Sequence, residues 1–194
     1  MTLTAHAKYC PGCGEGTALY SVQLEGGIEV RCAACGFPLD FEPTKAVQET
    51  GSIMIADDDK FFRTLLADLL GELGFSNPIH ACESGQEFLT LATEQLRKEL
   101  PIRFAVLDIM MAPLDGIGAA LSLRAVEKGF RAKPTPVLFL SAVRSDDTLR
   151  RLIARCQPAL YLNKGTDSRP DKLGPRLEKV IGYLLHQGQG EERR

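Results

Sequence analysis

The sequence predicts an α/β fold, a (βα)5 doubly wound parallel sheet preceded by a small N-terminal β module, and three observations carry that expectation. From Gly51 onward, short apolar runs alternate with segments of helical period, as βα units around a mostly parallel sheet require. Residues able to do chemistry follow four of those runs, where ligands collect in open parallel sheets. Before Gly51 the texture differs, being rich in glycine and cysteine with only short β-like runs.

Length and composition bound the possibilities. At 194 residues the chain can hold one ordinary domain and one small one, and 44% apolar with 25% charged residues suits a soluble globular protein. No apolar stretch approaches the roughly 18 residues of a membrane span, and Met1 to Tyr9 lacks the apolar run of a signal peptide. A cytoplasmic protein without membrane contact is expected. The net charge of -2 and pI of 6.0 give no global attraction to nucleic acid or anionic lipid.

The elements follow in order. Residues 1–42 form the small module, with a hairpin of Leu19 to Leu24 and Ile28 to Arg31 about Gly26-Gly27. Residues 43–50, lacking a sustained apolar period, are the linker. Residues 51–187 form the α/β domain, with strands expected at Ser52–Ala56, Pro78–Ala81, Phe104–Leu107, Pro136–Leu140 and Ala159–Leu162. The first helix shows an apolar stripe of Phe62, Leu65, Leu66, Leu69, Leu70 and Leu73. Further helices are expected at Glu87–Leu100, Gly116–Lys128, Ser145–Cys156 and Pro170–His186, the last with Leu173, Leu177, Val180, Ile181 and Leu184 inward. Residues 188–194 are a polar tail expected to be disordered.

The strand ends converge on an acid pocket. The first strand runs into Asp57-Asp58-Asp59, the third into Asp108, the fourth into Ser141, and Lys164 lies two residues beyond the fifth. Consecutive carboxylates at the mouth of a buried strand repel one another unless a cation sits among them. Mg2+ suits them, because it takes oxygen ligands and keeps room for water and a phosphate oxygen. Asp108 is then free to act as a nucleophile towards phosphorus, with Lys164 supplying a compact cation and Ser141 a hydroxyl donor.

Four sequence stretches carry a family resemblance. IMIADDDKFFRTLL (Ile53 to Leu66), LDIMMAPLDG (Leu107 to Gly116), PVLFLSA (Pro136 to Ala142) and YLNK (Tyr161 to Lys164) resemble the corresponding segments of response-regulator receiver domains of two-component signalling. The resemblance spans about residues 51 to 187 and implies a flavodoxin-like sheet of order 2-1-3-4-5. It implies Asp57 and Asp58 as the Mg2+ acids, with Asp58 favoured as the direct ligand and Asp59 pointing elsewhere. It further implies that Met110 lends a backbone carbonyl to the metal, that Asp108 accepts phosphate, and that Tyr161 is a switch aromatic. The partners implied are a histidine kinase or phosphotransfer protein and an unknown downstream protein, with a homodimer left open.

Two departures from the family pattern bear on the loops. Ala112 stands where a proline is usual, with Pro113 following, and Gly165 replaces the proline after the lysine. A trans bond is expected before Gly165, because a cis bond before a non-proline costs about 2.5 to 4 kcal/mol. Apolar Met110 and Val143 cannot position a hydrolytic water, so slow self-dephosphorylation is expected. No output domain is expected after residue 187, so the chain would act by docking rather than as a turnover enzyme.

The cysteines form a second constellation. Cys10-Pro-Gly-Cys13 and Cys32-Ala-Ala-Cys35 are each followed by glycine and are joined through the predicted hairpin. Two such knuckles present four thiolates to one point, the pattern of a structural Zn2+ site, and the segment resembles zinc ribbons. A redox role fits poorly, because neither pair opens a helix in a βαβ unit. Residues 1–42 hold two basic residues, Lys8 and Arg31, against five acidic ones, which disfavours nucleic-acid binding and favours protein docking. The rival functions are therefore a pseudo-receiver scaffold that is never phosphorylated and a zinc-ribbon nucleic-acid binder regulated by a receiver.

Overall fold

The computed structural model describes residues 3–24, 27–40, 50–165 and 170–190 of the chain. Three strands, β1 (Leu3–Cys10), β2 (Glu15–Leu24) and β3 (Gly27–Cys32), pair antiparallel in the order β1-β2-β3. The hairpin predicted for residues 19–31 is there, with Leu19 opposite Cys32 and Ser21 opposite Val30. The sequence reading lacked β1. Its segment LTAHAKYC is short of β-branched residues, and backbone pairing to β2, Tyr9 opposite Gly16, supplies what local preference does not.

The second sheet holds five parallel strands: β4 (Ser52–Ala56), β5 (Ile79–Cys82), β6 (Ile102–Asp108), β7 (Val137–Ser141) and β8 (Ala159–Asn163). Their order is β5-β4-β6-β7-β8, the 2-1-3-4-5 arrangement expected of a flavodoxin-like sheet. Every residue of β4 and β7 is buried, as strands covered by helices on both faces must be. Alternation then sorts the side chains onto two cores. Ile53, Ile55, Phe104, Val106, Leu138, Leu140 and Leu162 face one, and Met54, Ala56, Ala105, Leu107, Val137, Phe139 and Tyr161 face the other.

Five helices cover the faces: α1 (Lys60–Glu72), α2 (Gly85–Arg97), α3 (Gly116–Phe130), α4 (Asp147–Ala154) and α5 (Pro170–Gly190). Four begin at a side-chain cap: Asp59 accepts from the Phe61 amide, Ser84 from Glu87, Asp115 from Gly118 and Asp146 from Leu149. These caps set starts that differ from the predicted ones by two residues in α2 and α4. α2 also stops at Arg97 rather than Leu100, since Glu99 is left-handed at φ 55° and Pro101 follows. α5 continues to Gly190, beyond the predicted start of the tail, and residues 191–194 lie outside the described residues.

The two sheets share one interior. Leu19, Phe37 and Leu39 of the small module join Leu173, Leu177 and Tyr183 of α5 in a single buried cluster. The Phe37 and Tyr183 rings meet edge to face at 5.6 Å between centroids. Arg144 pairs with Glu15 at 3.0 Å, and Arg150 of α4 donates to the Ala33 carbonyl at 2.6 Å. The module therefore caps the edge strand β8 and the helices beside it. The expected linker, apart from Thr50, falls outside the described residues, as do Gly26 and residues 166–169 of the loop after Lys164. Among the described residues, no helix is long and apolar enough to cross a membrane.

Candidate functional site

The register of the parallel sheet assembles the acid pocket. Ala56 pairs with Leu107, Asp108 with Leu140, and Ser141 with Asn163, so the residues at or just past these strand ends lie side by side. Asp57, Asp58 and Asp108 each place a carboxylate oxygen within 4.8 Å of the others. Asp57 and Asp108 are 1% and 6% exposed, whereas Asp58 faces solvent. Asp59 caps α1 and stays out of the cluster, as expected.

One ammonium spans the two buried acids. Lys164 Nζ donates to Asp57 Oδ2 at 2.7 Å and to Asp108 Oδ2 at 3.0 Å, and lies 4.4 Å from the centre of the Phe62 ring. Asp57 Oδ1 accepts the Asp59 amide at 3.0 Å, and Asp108 Oδ1 the Met110 amide at 3.3 Å. Burial raises the pKa of Asp57 above the usual carboxylate range, with the Lys164 ammonium opposing the shift. A site with three carboxylates and one ammonium retains negative charge, so the donor set suits a hard divalent cation at the sheet mouth.

The remaining predicted residues surround this pair. Ser141 is fully buried, its Oγ accepts the Val143 amide at 3.2 Å, and its carbonyl accepts the Lys164 amide at 2.8 Å. Tyr161 is buried too, donating its hydroxyl to the Val143 carbonyl and accepting from Asn163 Nδ2 at 2.7 Å. Met110 and Val143 are exposed. The loop after Asp108 has a cis bond between Ala112 and Pro113, whereas no cis bond precedes Gly165. Gly116 is where α3 starts, and a Cβ there would meet the Asp108 carbonyl oxygen at 2.0 Å. Any side chain at Gly116 displaces the backbone that presents Asp108.

The four cysteines also converge, with sulfurs within 4.8 Å of one another. Cys10 and Cys35 Sγ are 3.5 Å apart and Cys13 and Cys32 Sγ 3.7 Å, near the roughly 3.8 Å edge of a tetrahedron with 2.3 Å zinc–sulfur bonds. Each knuckle closes in the same way. Gly14 donates to the Cys10 carbonyl at 2.8 Å and Gly36 to the Cys32 carbonyl at 2.9 Å, at φ of 76° and 79° where glycine is favoured. The Ala34 amide and the Thr17 hydroxyl lie 3.3 and 3.0 Å from Cys32 Sγ. Cys10 and Cys32 lie below the usual thiol range, held there first by hydrogen bonds from Cys13 and Cys10 respectively. Cys13 and Cys35 lie above it because they face Cys10. Cys82 and Cys156 are buried and belong to neither cluster, the Cys82 carbonyl accepting the Asp57 amide at 3.2 Å, and burial pushes the Cys82 thiol up to about 12.

Three polar residues near the pocket escaped the sequence reading. Arg63 donates to the Asp57 carbonyl at 2.6 Å and to Glu83 at 3.0 Å. Asn163 joins Tyr161 to the Val143 carbonyl. Arg176 donates to the carbonyls of Pro11, Gly12 and Asn163. Each arginine had a signal, since it interrupts the apolar face of its own helix beside Phe62 or Leu177.

Comparison with known proteins bears on the α/β domain. The model of the response regulator receiver domain matches residues 53–170, more than half of the chain. The chain is 30% identical over 97 residues to histidine kinase CKI1 of Arabidopsis thaliana, covering 46% of this chain but only 8% of that kinase. It is 29% identical over 139 residues to a probable chemotaxis protein CheY of Rhizobium etli, covering 72% of this chain and 98% of that protein. Among solved structures, the receiver domain of CKI1 complexed with Mg2+ superposes with a TM-score of 0.59 at 25% identity, over 69% of this chain and 91% of that one. The response regulator domain of Thermotoga maritima CheB gives 0.54 at 18% identity, over 71% and 98%.

Proposed function

We propose, since the chain belongs to the response regulator receiver family, that Asp108 accepts a phosphoryl group from a histidine kinase or phosphotransfer protein and that the phosphorylated chain acts by docking to a downstream protein. The observation that carries this reading is the Lys164 ammonium, 2.7 Å from Asp57 and 3.0 Å from Asp108. It engages Oδ2 of Asp108, so that Oδ1 meets only the Met110 amide at 3.3 Å, and it stands where a phosphoryl oxygen would need a cation.

Asp57, Asp58, Asp108 and the Met110 carbonyl would hold Mg2+, which when bound supplies charge neutralisation for the phosphoryl oxygens. An Asp108 oxygen attacks phosphorus, forming a P–O bond as the P–N bond of the donor's phosphohistidine breaks. The departing imidazole nitrogen keeps the electron pair. Lys164 holds Asp108 for the attack and then pairs with a phosphoryl oxygen. Ser141 donates its hydroxyl to another once it turns from the Val143 amide, and Tyr161, bound to the carbonyl of that same Val143, reads the movement. The cycle modifies the chain itself and turns over no external substrate.

Cys10, Cys13, Cys32 and Cys35 would hold a structural Zn2+, all four positions being filled by protein. Intact mass after incubation with Mg2+ and a small phosphodonor tests the receiver reading. One base-labile addition of about 80 Da that requires Mg2+ and disappears in Asp108→Asn supports it. Absence of the addition, or its persistence in Asp108→Asn, contradicts it and leaves the scaffold reading.

A further inference from the structure

Arg176 is 7% exposed, and its donors go to three backbone carbonyls: Nε to Pro11 at 2.7 Å, and Nη2 to Gly12 at 3.2 Å and Asn163 at 2.7 Å. Among the described residues no carboxylate pairs with it. A buried guanidinium without a counter-ion is costly. The knuckle it grips supplies one. Pro11 and Gly12 lie between Cys10 and Cys13, and a Cβ on Gly14 would stand 2.8 Å from the guanidinium carbon. A zinc ion with four thiolates carries two net negative charges beside this cation.

The same guanidinium holds the peptide from which Lys164 springs. Asn163 gives its amide to the Gly12 carbonyl at 2.7 Å and its carbonyl to Arg176, while the Lys164 amide binds the Ser141 carbonyl at 2.8 Å. The Asn163–Lys164 peptide is thus clamped between the cysteine knuckle and the end of β7. From it, Lys164 reaches Asp57 and Asp108.

We propose that Arg176 is a positioning residue through which the four-cysteine centre sets Lys164, so that zinc occupancy governs the rate of phosphoryl transfer to Asp108. The inference rests on the phosphoacceptor reading above. Losing the centre removes both the knuckle carbonyls and the counter-charge, and the 163–164 peptide loses its register. A misplacement of about 1 Å in a positioning group costs up to about a hundredfold in rate.

The test uses the full chain, zinc-loaded, with Arg176→Gln and Arg176→Lys. The expected result is that Arg176→Gln retains one zinc per chain and wild-type Mg2+ affinity by calorimetry, yet is phosphorylated by a small donor roughly tenfold to a hundredfold more slowly at saturation. Arg176→Lys recovers part of the rate. Chelating zinc from the wild type produces a similar loss, and chelation adds little to Arg176→Gln. The amide resonance of Lys164 shifts on chelation in the wild type and by clearly less in Arg176→Gln, where the Asn163–Gly12 bond alone still ties that peptide to the knuckle. A zinc-loaded Arg176→Gln that is phosphorylated at the wild-type rate overturns the proposal, as do losses that multiply. Should Arg176→Gln fail to fold, Arg176→Lys decides: a folded, zinc-loaded variant at the full wild-type rate and with an unmoved Lys164 amide counts against the clamp. If the wild type takes no phosphate, the receiver reading has failed instead, and the Lys164 amide alone decides the coupling.

Discussion

The cysteine centre and the acid pocket are both clusters of groups that become anions, yet they are assembled at opposite ranges. The Cys10–Cys35 contact spans 25 residues, whereas the Lys164–Asp57 contact spans 107. Two knuckles and a hairpin make the first, so its integrity depends on what the sulfurs hold. Four strand ends make the second, so its integrity depends on the whole parallel sheet, and Lys164 already supplies part of its positive charge. A locally built centre is expected to unfold without the parallel sheet when its proposed zinc is removed, moving in the pocket only the Lys164 peptide that it grips, while the pocket should outlast its own proposed Mg2+.

Substituting Cys32, which would leave three zinc ligands, should have the largest effect. Structural zinc contributes roughly 10 to 16 kcal/mol to small metal-organised folds. Cys32→Ser should lose zinc by elemental analysis, and hydrogen exchange should show β1–β3 unprotected while β4, β6 and β7 stay protected. Equal loss of protection in both sheets would remove the contrast. Next is Lys164→Met, which strips the pocket of its fixed cation. Breaking a buried pair costs about 3 to 5 kcal/mol, and losing one such group at a reacting centre costs about 10²- to 10³-fold in rate. Thermal unfolding and the rate of adduct formation check the two parts, and Mg2+ should restore more of the stability than of the rate.

Gly116→Ala should cost about 1 to 3 kcal/mol, the range for overpacking, because its methyl group meets the Asp108 carbonyl. Denaturant titration measures it, and an unchanged midpoint would mean that the α3 start yields freely. The smallest effect belongs to Asp57. Its pKa is raised in the fold, so the folded state binds the extra proton. In Mg2+-free chain, stability should fall as pH rises from the ordinary carboxylate range, about 4, to the raised value, and level off above it. Asp57→Asn should flatten that slope and diminish the stabilisation by Mg2+. A slope of opposite sign would mean that Lys164 outweighs the burial of Asp57.

Legibility in the sequence followed the same division of range. Asp57, Asp108, Ser141 and Lys164 were readable because each lies at or just past an apolar run, and a parallel sheet brings such ends together whatever their separation. The cysteines were readable from spacing alone. Arg176 and Asn163 were not, because a polar residue in an apolar setting becomes meaningful only when its packed partners are known: for Arg176 a knuckle 165 and 164 residues away, and for the Asn163 side chain the Tyr161 hydroxyl and the Val143 carbonyl. β1 was missed because its residues owe their strand to β2. The starts of α2 and α4 and the end of α2 moved because Ser84, Asp146 and Glu99 overrode the periodic pattern, and the ends of α3 and α4 each moved by two residues.

Borohydride reduction of the chain after reaction with Mg2+ and a small phosphodonor tests the central claim most directly, since it converts an aspartyl phosphate to homoserine. Peptide mapping should find homoserine at position 108 and nowhere else. No homoserine, or homoserine at Asp57 or Asp58, would contradict the assignment of Asp108 as the phosphoacceptor.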